Sequence, residues 1–357
     1  MADSMRVLGI MSGTSIDSVD YALCDVSDER VRLREFWQVD FPKALRTRLH
    51  AAAAGSASSH EVGQLHHDLG RFYAMHARRK PALVGLHGQT IYHALGATLQ
   101  LGEPAWVAQK VGVPIVNNFR AADIAAGGQG APLATMFHRV VFAERGKHVC
   151  VDNLGGISNV SSLDWRRGNE PRIAAFDTGP ANILINLAVR YFTKGRLEMD
   201  RNGTWAAKGN VDEPLLKCWL RHPYFRKPPP KSTGRELFGE MFLRPHLAMK
   251  LHDLIATLTE FTACSIALNY KLHLPSKPHR VILAGGGAAN PALVRALKRN
   301  LADTEIISAE KLGWPLQAIE PAAFALLAYL RFHNRPGNIP ETTGASRAVL
   351  LGQITSP

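Results

Sequence analysis

One short pattern occurs twice in this chain, and it limits the possible folds more than any other feature. Val7, Leu8 and Ile10 lead into Ser12-Gly13-Thr14-Ser15, and Val19, Tyr21 and Leu23 follow, which reads as strand, polar turn, strand. Val149 to Leu163, VCVDNLGGISNVSSL, repeats the layout around Gly155-Gly156. An ordinary β-hairpin accounts for either stretch alone. Two of them, far apart in one sequence, point to a duplicated fold whose halves face each other across a nucleotide. The turn chemistry agrees, because hydroxyls and backbone N–H groups form a concavity for phosphate, and Gly13 lets the backbone approach an anion with no Cβ in the way.

With 357 residues, 46% hydrophobic and 20% charged, the chain is long enough for two cores and too balanced for disorder. It contains no run of about 18 apolar residues to span a bilayer, and MADSMRVLGI lacks the basic, apolar and small-residue order of a secretory leader. A cytoplasmic protein is expected. Cys24, Cys150, Cys218 and Cys264 are scattered with no CxxC pair, so they read as buried thiols rather than a disulfide or zinc framework. The net charge of +12 and a pI near 9.7 suit an anionic partner. The basic residues are nevertheless dispersed, and the Arg78-Arg79-Lys80 and Arg226-Lys227 clusters lack interleaved aromatics, which disfavours nucleic acid. The fifteen histidines show no HExxH spacing.

Along the chain, Val31 to Phe41 reads as a third strand. Ser59 then caps a helix with Val62, Leu65, Leu69, Phe72 and Met75 on one face. Ala82 to Leu86 is a short buried strand delivering HGQTIYH, with Thr90, at its carboxyl end, where open α/β sheets bind ligands. Val113 to Val116 empties into NNFRAADIAAGGQGAPL, in which Arg120 and Asp123 stand among Gly127, Gly128 and Gly130; a mere linker has little use for that chemistry. In the second half Arg172 to Phe176 is a strand ending in Asp177-Thr178-Gly179-Pro180. That places Asp177 in a strand-to-helix turn with Asn182 free to cap the helix. From Asp200 to Leu243 the text is irregular, with Pro228-Pro229-Pro230, and reads as an excursion on the second domain that shapes the substrate side. A long amphipathic helix from Leu247 to Leu272 and a strand from Arg280 to Leu283 follow. The strand runs into Gly285-Gly286-Gly287 and then a helix capped by Asn290 with Pro291 at its first position. A last helix starts at Glu320-Pro321.

Taken together, MSGTSIDSVD, HGQTIYH, NNFRAADIAAGGQGAPL, AFDTGPAN, LAGGGAANPAL and the tail NIPETTGASRAVLLG closely resemble the anhydro-N-acetylmuramic acid kinase family over essentially the whole chain. The resemblance implies an α/β fold of the actin, sugar kinase and Hsp70 type, with two mixed-sheet domains and a cleft between them. The expected division is 1–135 and 136–357, with the helix at 320–333 a candidate to join the first domain. ATP with Mg²⁺ is the implied cofactor, the metal riding on the phosphates with no protein ligand assigned. The implied reaction opens a 1,6-anhydro sugar and phosphorylates its O6, in cell-wall recycling, by a homodimer. By position, Gly13, Thr14, Ser15, Ile16, Asp17, Ser18, Val19 and Asp20 match the first ATP phosphate loop and Gly155-Gly156 the second. Gly179 also falls on the nucleotide side, and Gly285, Gly286 and Gly287 match the adenosine loop. Asp177 matches the catalytic base, and Thr90, Arg120 and Glu320 fall to the sugar site.

The chain departs from the family pattern at Ser18, Asn118 and Ala181. Ser18 and Ala181 are expected to lose a glycine's tolerance of positive φ, and Asn118 to remove a charge beside Arg120. Two other readings use the same residues: a kinase for another 1,6-anhydro sugar such as levoglucosan, and a sensor that binds ATP and sugar without turnover.

Overall fold

The computed structural model describes residues 4–94 and 96–357, so the first three residues of the MADSMRVLGI stretch lie outside the described ones. The chain divides into two compact units, Met1–Val141 with Gln317–Pro357, and Phe142–Leu316. The tail from Gln317 onward, expected in the second domain except for its helix, belongs as a whole to the first unit.

Unit 1 is built on one mixed sheet. Strands β1 (Met5–Ser12), β2 (Ser18–Val26) and β3 (Val31–Asp40) form an antiparallel meander, and β4 (Leu83–Ala94) and β6 (Ile115–Asn117) add in parallel beside β1. β5 (Ala97–Leu101) pairs with the outer part of β4, and β12 (Gln353–Thr355) with β6. Unit 2 repeats the plan. β7 (His148–Leu154), β8 (Ile157–Asp164) and β9 (Arg172–Pro180) are the meander, and β10 (Arg280–Ala284) and β11 (Glu305–Ser308) are the parallel additions. The central orders β3-β2-β1-β4-β6 and β9-β8-β7-β10-β11 are therefore the same. The duplication expected from two look-alike hairpins is present in strand order and direction, in α/β units of mixed sheet.

Alternation and length explain the elements. β1 carries Val7, Leu8 and Ile10 fully buried, and the Ser59–His76 helix buries Leu65, Leu69 and Tyr73 at helical spacing. Its cap is Ser58, one residue earlier than expected, whose hydroxyl accepts from Glu61 N–H at 3.2 Å. Met75, expected on the buried face, is exposed. A helix at Lys43–Ala53 was not anticipated; only Leu49 and Ala52 of it are buried, too few for a periodic signal. The Ile319–Phe332 helix packs on β1, β4 and β2, and two paired glycines admit it. A Cβ on Gly9 would lie 1.8 Å from the Pro321 carbonyl oxygen, and one on Gly85, its cross-strand partner, 2.2 Å from that of Phe324. In unit 2 the Leu251–His273 helix is long and apolar enough to cross a membrane, but its apolar side chains, Leu254, Leu258, Phe261 and Ile266 among them, fill the core. Of the cysteines, Cys24 and Cys150 are buried as expected, whereas Cys264 is half-buried and Cys218 exposed.

Candidate active site

The first turn is held from behind. Ile16 N–H donates to Gly13 C=O at 3.1 Å, and the side-chain amide of Gln89, itself fully buried, donates to the same oxygen at 3.1 Å. Ile16 takes φ 58°, a left-handed conformation that costs a side-chain-bearing residue about 1–2 kcal/mol; its near-complete burial holds it there. Thr14, Ser15 and Asp17 are left exposed. Behind the turn, Gln38 donates to Ser18 Oγ at 2.9 Å and to Asp20 Oδ1 at 2.8 Å. Burial lifts the Asp20 carboxyl to about 6, Gln38 opposing and the negative charge of Glu320 adding to the rise.

The second turn is held by a helix start. Ala181 and Ile183 N–H both donate to Gly156 C=O, and Asn182 N–H donates to Gly155 C=O, all within 3.1 Å. Asn182 Nδ2 adds bonds to Leu154 and Gly155 C=O at 2.9 and 2.8 Å. Asn182 is thus not the helix cap; the cap position is Ala181 and has no side-chain bond. Because C=O and N–H of a trans peptide point opposite ways, carbonyls turned to this helix turn the Gly155 and Gly156 N–H groups away from it. Beneath, Asp152 is fully buried between Ser158 Oγ at 2.7 Å and Tyr270 Oη at 2.9 Å, and burial raises it to about 6.

The room left around the glycines indicates whether these loops fit a nucleotide. Gly285 has φ 72° and Gly287 meets Leu154, so both have internal reasons to be glycine, as does Gly179 with φ 134° against Phe225. Gly13, Gly155, Gly156 and Gly286 have neither a left-handed φ nor a neighbour closer than 3.5 Å to an added Cβ. Nothing inside the chain demands glycine there. All four lie in the loops expected to seat ATP; Gly63, inside the Ser59–His76 helix, has the same freedom.

Asp177 departs from its expected setting. β9 runs on to Pro180, so Asp177 sits inside the strand opposite Asn159, beside an irregularity in the pairing, and not in a strand-to-helix turn. The irregular 200–243 segment returns to grip it. Tyr224 Oη donates to Asp177 C=O at 2.6 Å, Asp177 N–H donates to Lys231 C=O at 3.1 Å, and Thr233 N–H donates to Asp177 Oδ2 at 2.9 Å. No described residue bonds the other carboxylate oxygen. Burial raises the carboxyl to about 6, the Thr233 bond and the Lys231 charge opposing and Glu236 adding.

In unit 1, HGQTIYH is not a loop beyond a short strand, because β4 continues through it to Ala94. Thr90 accepts from Gln100 Nε2 at 3.3 Å across β5. Arg120 meets His87, a residue to which the sequence pattern assigns no role. Its Nε and Nη2 lie 3.1 and 2.9 Å from His87 Nε2, and Nη1 donates to Gly130 C=O at 2.7 Å. His87 Nδ1 lies 2.9 Å from Gly88 C=O, so the ring is neutral with its proton on Nδ1; burial and the Arg120 charge push its pKa well below the ordinary value. Burial also lowers Arg120 to about 10, with Glu320 opposing. Glu320 keeps solvent-accessible surface, yet the protein around it displaces enough water to raise its carboxyl, and Arg120 draws it back. Glu320 lies in the first turn of its helix and is not the cap.

The glycine-rich loop holds a short helix, Ala121–Ala125, and is clasped by the C-terminal tail. Fully buried Asp123 accepts from Gly130 N–H at 2.8 Å, Asn338 Nδ2 at 2.8 Å and Thr343 Oγ1 at 2.7 Å. Asp123 is the second residue whose role emerges only in three dimensions. Of the departures, Ser18 is absent from the positive-φ residues and Ala181 has φ −110°, so neither position calls for a glycine's tolerance of positive φ. Asn118 does have φ 54°, a conformation asparagine tolerates, and the described contacts of Arg120 run to His87 and Gly130 rather than to Asn118.

A family model for anhydro-N-acetylmuramic acid kinase matches residues 5–357. A relative of that name from Acaryochloris marina is 40% identical, over 98% of this chain and 99% of its own. One from Synechococcus elongatus is 41% identical over the same shares. Among solved structures, the activator of 2-hydroxyisocaproyl-CoA dehydratase from Clostridium difficile is 14% identical, covering 91% of this chain and 94% of its own, with a TM-score of 0.45. A ROK family glucokinase from Streptomyces griseus is also 14% identical over 91% and 99%, with a TM-score of 0.40.

Proposed function

The chain belongs to the anhydro-N-acetylmuramic acid kinase family, and from that premise we propose that it opens the ring of 1,6-anhydro-N-acetylmuramic acid with Asp177 as the base. A 1,6-anhydro bridge is an internal glycoside, so cleavage needs a water driven onto C1 and relief of charge on the departing O6. Asp177 accepts the proton of that water. The C1–O6 bond breaks as the new C1–OH bond forms, and O6 leaves with the electron pair. ATP with Mg²⁺ supplies the phosphoryl group that O6 captures and the charge neutralisation that phosphoryl transfer requires. The products are N-acetylmuramic acid 6-phosphate and ADP, and no general acid is needed at O6.

The observation that carries this reading is the state of Asp177. One carboxylate oxygen is fixed by the Thr233 N–H, the other accepts no bond among the described residues, and the carboxyl titrates at about 6, ionised yet basic at neutral pH. The room beside Gly13, Gly155, Gly156 and Gly286 supports ATP phosphates at the two turns and its nucleoside at the third loop. Thr90 and the His87-Arg120-Glu320 cluster serve the sugar, Arg120 suiting its carboxylate. Use in cell-wall recycling, a cytoplasmic location and a homodimer complete the reading; light scattering checks the last. Turnover in ¹⁸O-labelled water tests the chemistry. The label is expected at C1 of the 6-phosphorylated sugar; label in phosphate, or ADP formed with the ring intact, rules out Asp177 as the activator of that water.

A further inference from the structure

Residues 224–233 touch Asp177 at three points, two on its backbone and one on its carboxylate. Such a grip positions a base only if the strap has a fixed shape. Three devices fix it. Tyr224 and Phe225 are fully buried, with the Phe225 ring 5.8 Å from both Phe238 and Phe261. Pro228-Pro229-Pro230 leaves little backbone freedom between the anchored ends. The third is a cation. Lys231 Nζ reaches back along its own strap to the carbonyls of Tyr224 and Phe225, at 3.4 and 3.3 Å, and lies 3.2 Å from His273 Nε2. It also stands 4.8 Å from the Tyr224 ring centroid and 5.8 Å from that of Phe176, the residue before Asp177.

We propose that Lys231 is a positioning residue for the base, its ammonium closing the strap around Asp177. This rests on the assignment of Asp177 as base. A half-buried ammonium is a costly way to fill space, and a methionine would pack there without a charge. Two of its donors instead find acceptors in the Tyr224 and Phe225 carbonyls of the region that grips Asp177, and His273 Nε2, 2.9 Å from the same Phe225 carbonyl, closes the cluster. The groups around it are Asp177 from β9, Tyr224 on the strap and His273 at the end of the Leu251–His273 helix. Glu236, farther along the chain, acts on Asp177 and Tyr224 with the opposite sign. Burial lowers Lys231 to about 8, with Asp177 opposing. The strap is therefore mostly charged at pH 7 and loses its cation as pH rises through that value.

The test is the pH profile of kcat for the wild type, Lys231→Met and Lys231→Arg, with Asp177→Asn alongside, folding followed by thermal melting. The wild type is expected to show an acid limb near pH 6 and an alkaline limb near pH 8. Lys231→Met should lower kcat at pH 7 about 10- to 100-fold, move the acid limb upward as the neighbouring positive charge disappears, and leave KM for ATP unchanged. Lys231→Arg should keep the acid limb and abolish the alkaline one. An acid limb that stays in place in a folded Lys231→Met protein, with kcat within about twofold of wild type, overturns the proposal. Should Lys231→Met not fold, Lys231→Arg decides: an alkaline limb still near pH 8 overturns it, and its loss supports it. The control separates the two claims. Normal turnover by Asp177→Asn removes the base assignment and this inference together, whereas a dead Asp177→Asn beside an unaltered Lys231→Met removes only the role of Lys231.

Discussion

The two units carry the same strand order but hold their hairpins and acids differently. In unit 1 the turn rests on side chains, with Gln89 under Gly13 and Gln38 under Ser18 and Asp20. In unit 2 it rests on the start of a helix, whose N–H groups and Asn182 take the turn's carbonyls. Each unit also buries an acid that titrates at about 6: Asp20 in the first, Asp177 in the second, with the sequestered Asp152 a third. A raised pKa therefore does not single out a base, since desolvation is the leading cause in all three. What separates them is how each is held. Asp20 accepts from a neutral side-chain amide, and Asp152 has bonds on both oxygens and no exposure. Asp177, like Asp20, keeps one carboxylate oxygen unbonded by described residues, but of the three it alone is held through its own N–H and C=O by a segment outside its sheet.

Substitution at these positions sets the comparison at risk. Asp177→Asn should lower kcat by about 10²- to 10⁴-fold, the usual weight of general base catalysis, with ATP binding retained by calorimetry; near-normal turnover would reverse the ranking of the acids. Gly13→Ala and Gly156→Ala come next. If both turns serve phosphate, each should raise KM for ATP about tenfold, roughly one hydrogen bond to a charged group, while the melting temperature holds because neither Cβ meets a neighbour. An effect confined to one of them would make the duplication structural rather than functional. Asp20→Asn should change least in the pH profile. Asp177 must be ionised to act, so the rate falls as pH drops through about 6, and that limb should stay when Asp20 is neutralised. Its disappearance would transfer the limb to Asp20.

Much of this was legible in the sequence, because apolar runs and glycine turns are local. The hairpins, β10 and its triple glycine, and the Asn290 cap, whose Oδ1 accepts from Ala292 and Leu293 N–H at 3.0 and 3.3 Å, stand where their patterns put them. The misses have one physical character. β4 and β9 extend through polar motifs that look like loops, since strand pairing with β5 and β8 supplies what hydrophobicity does not. The links from His87 to Arg120, Asp123 to Thr343 and Tyr224 to Asp177 join residues 33 to 220 positions apart, a distance no local pattern spans.

The Gly9 and Gly85 pair carries a consequence for biosynthesis. The helix that fits against those glycines is made of residues 319–332, so a ribosome releases the first sheet long before the element that covers its apolar face. A chain ending at residue 316 is expected to complete the second unit while the first keeps that face of β1 and β4 uncovered until residues 319–332 are made.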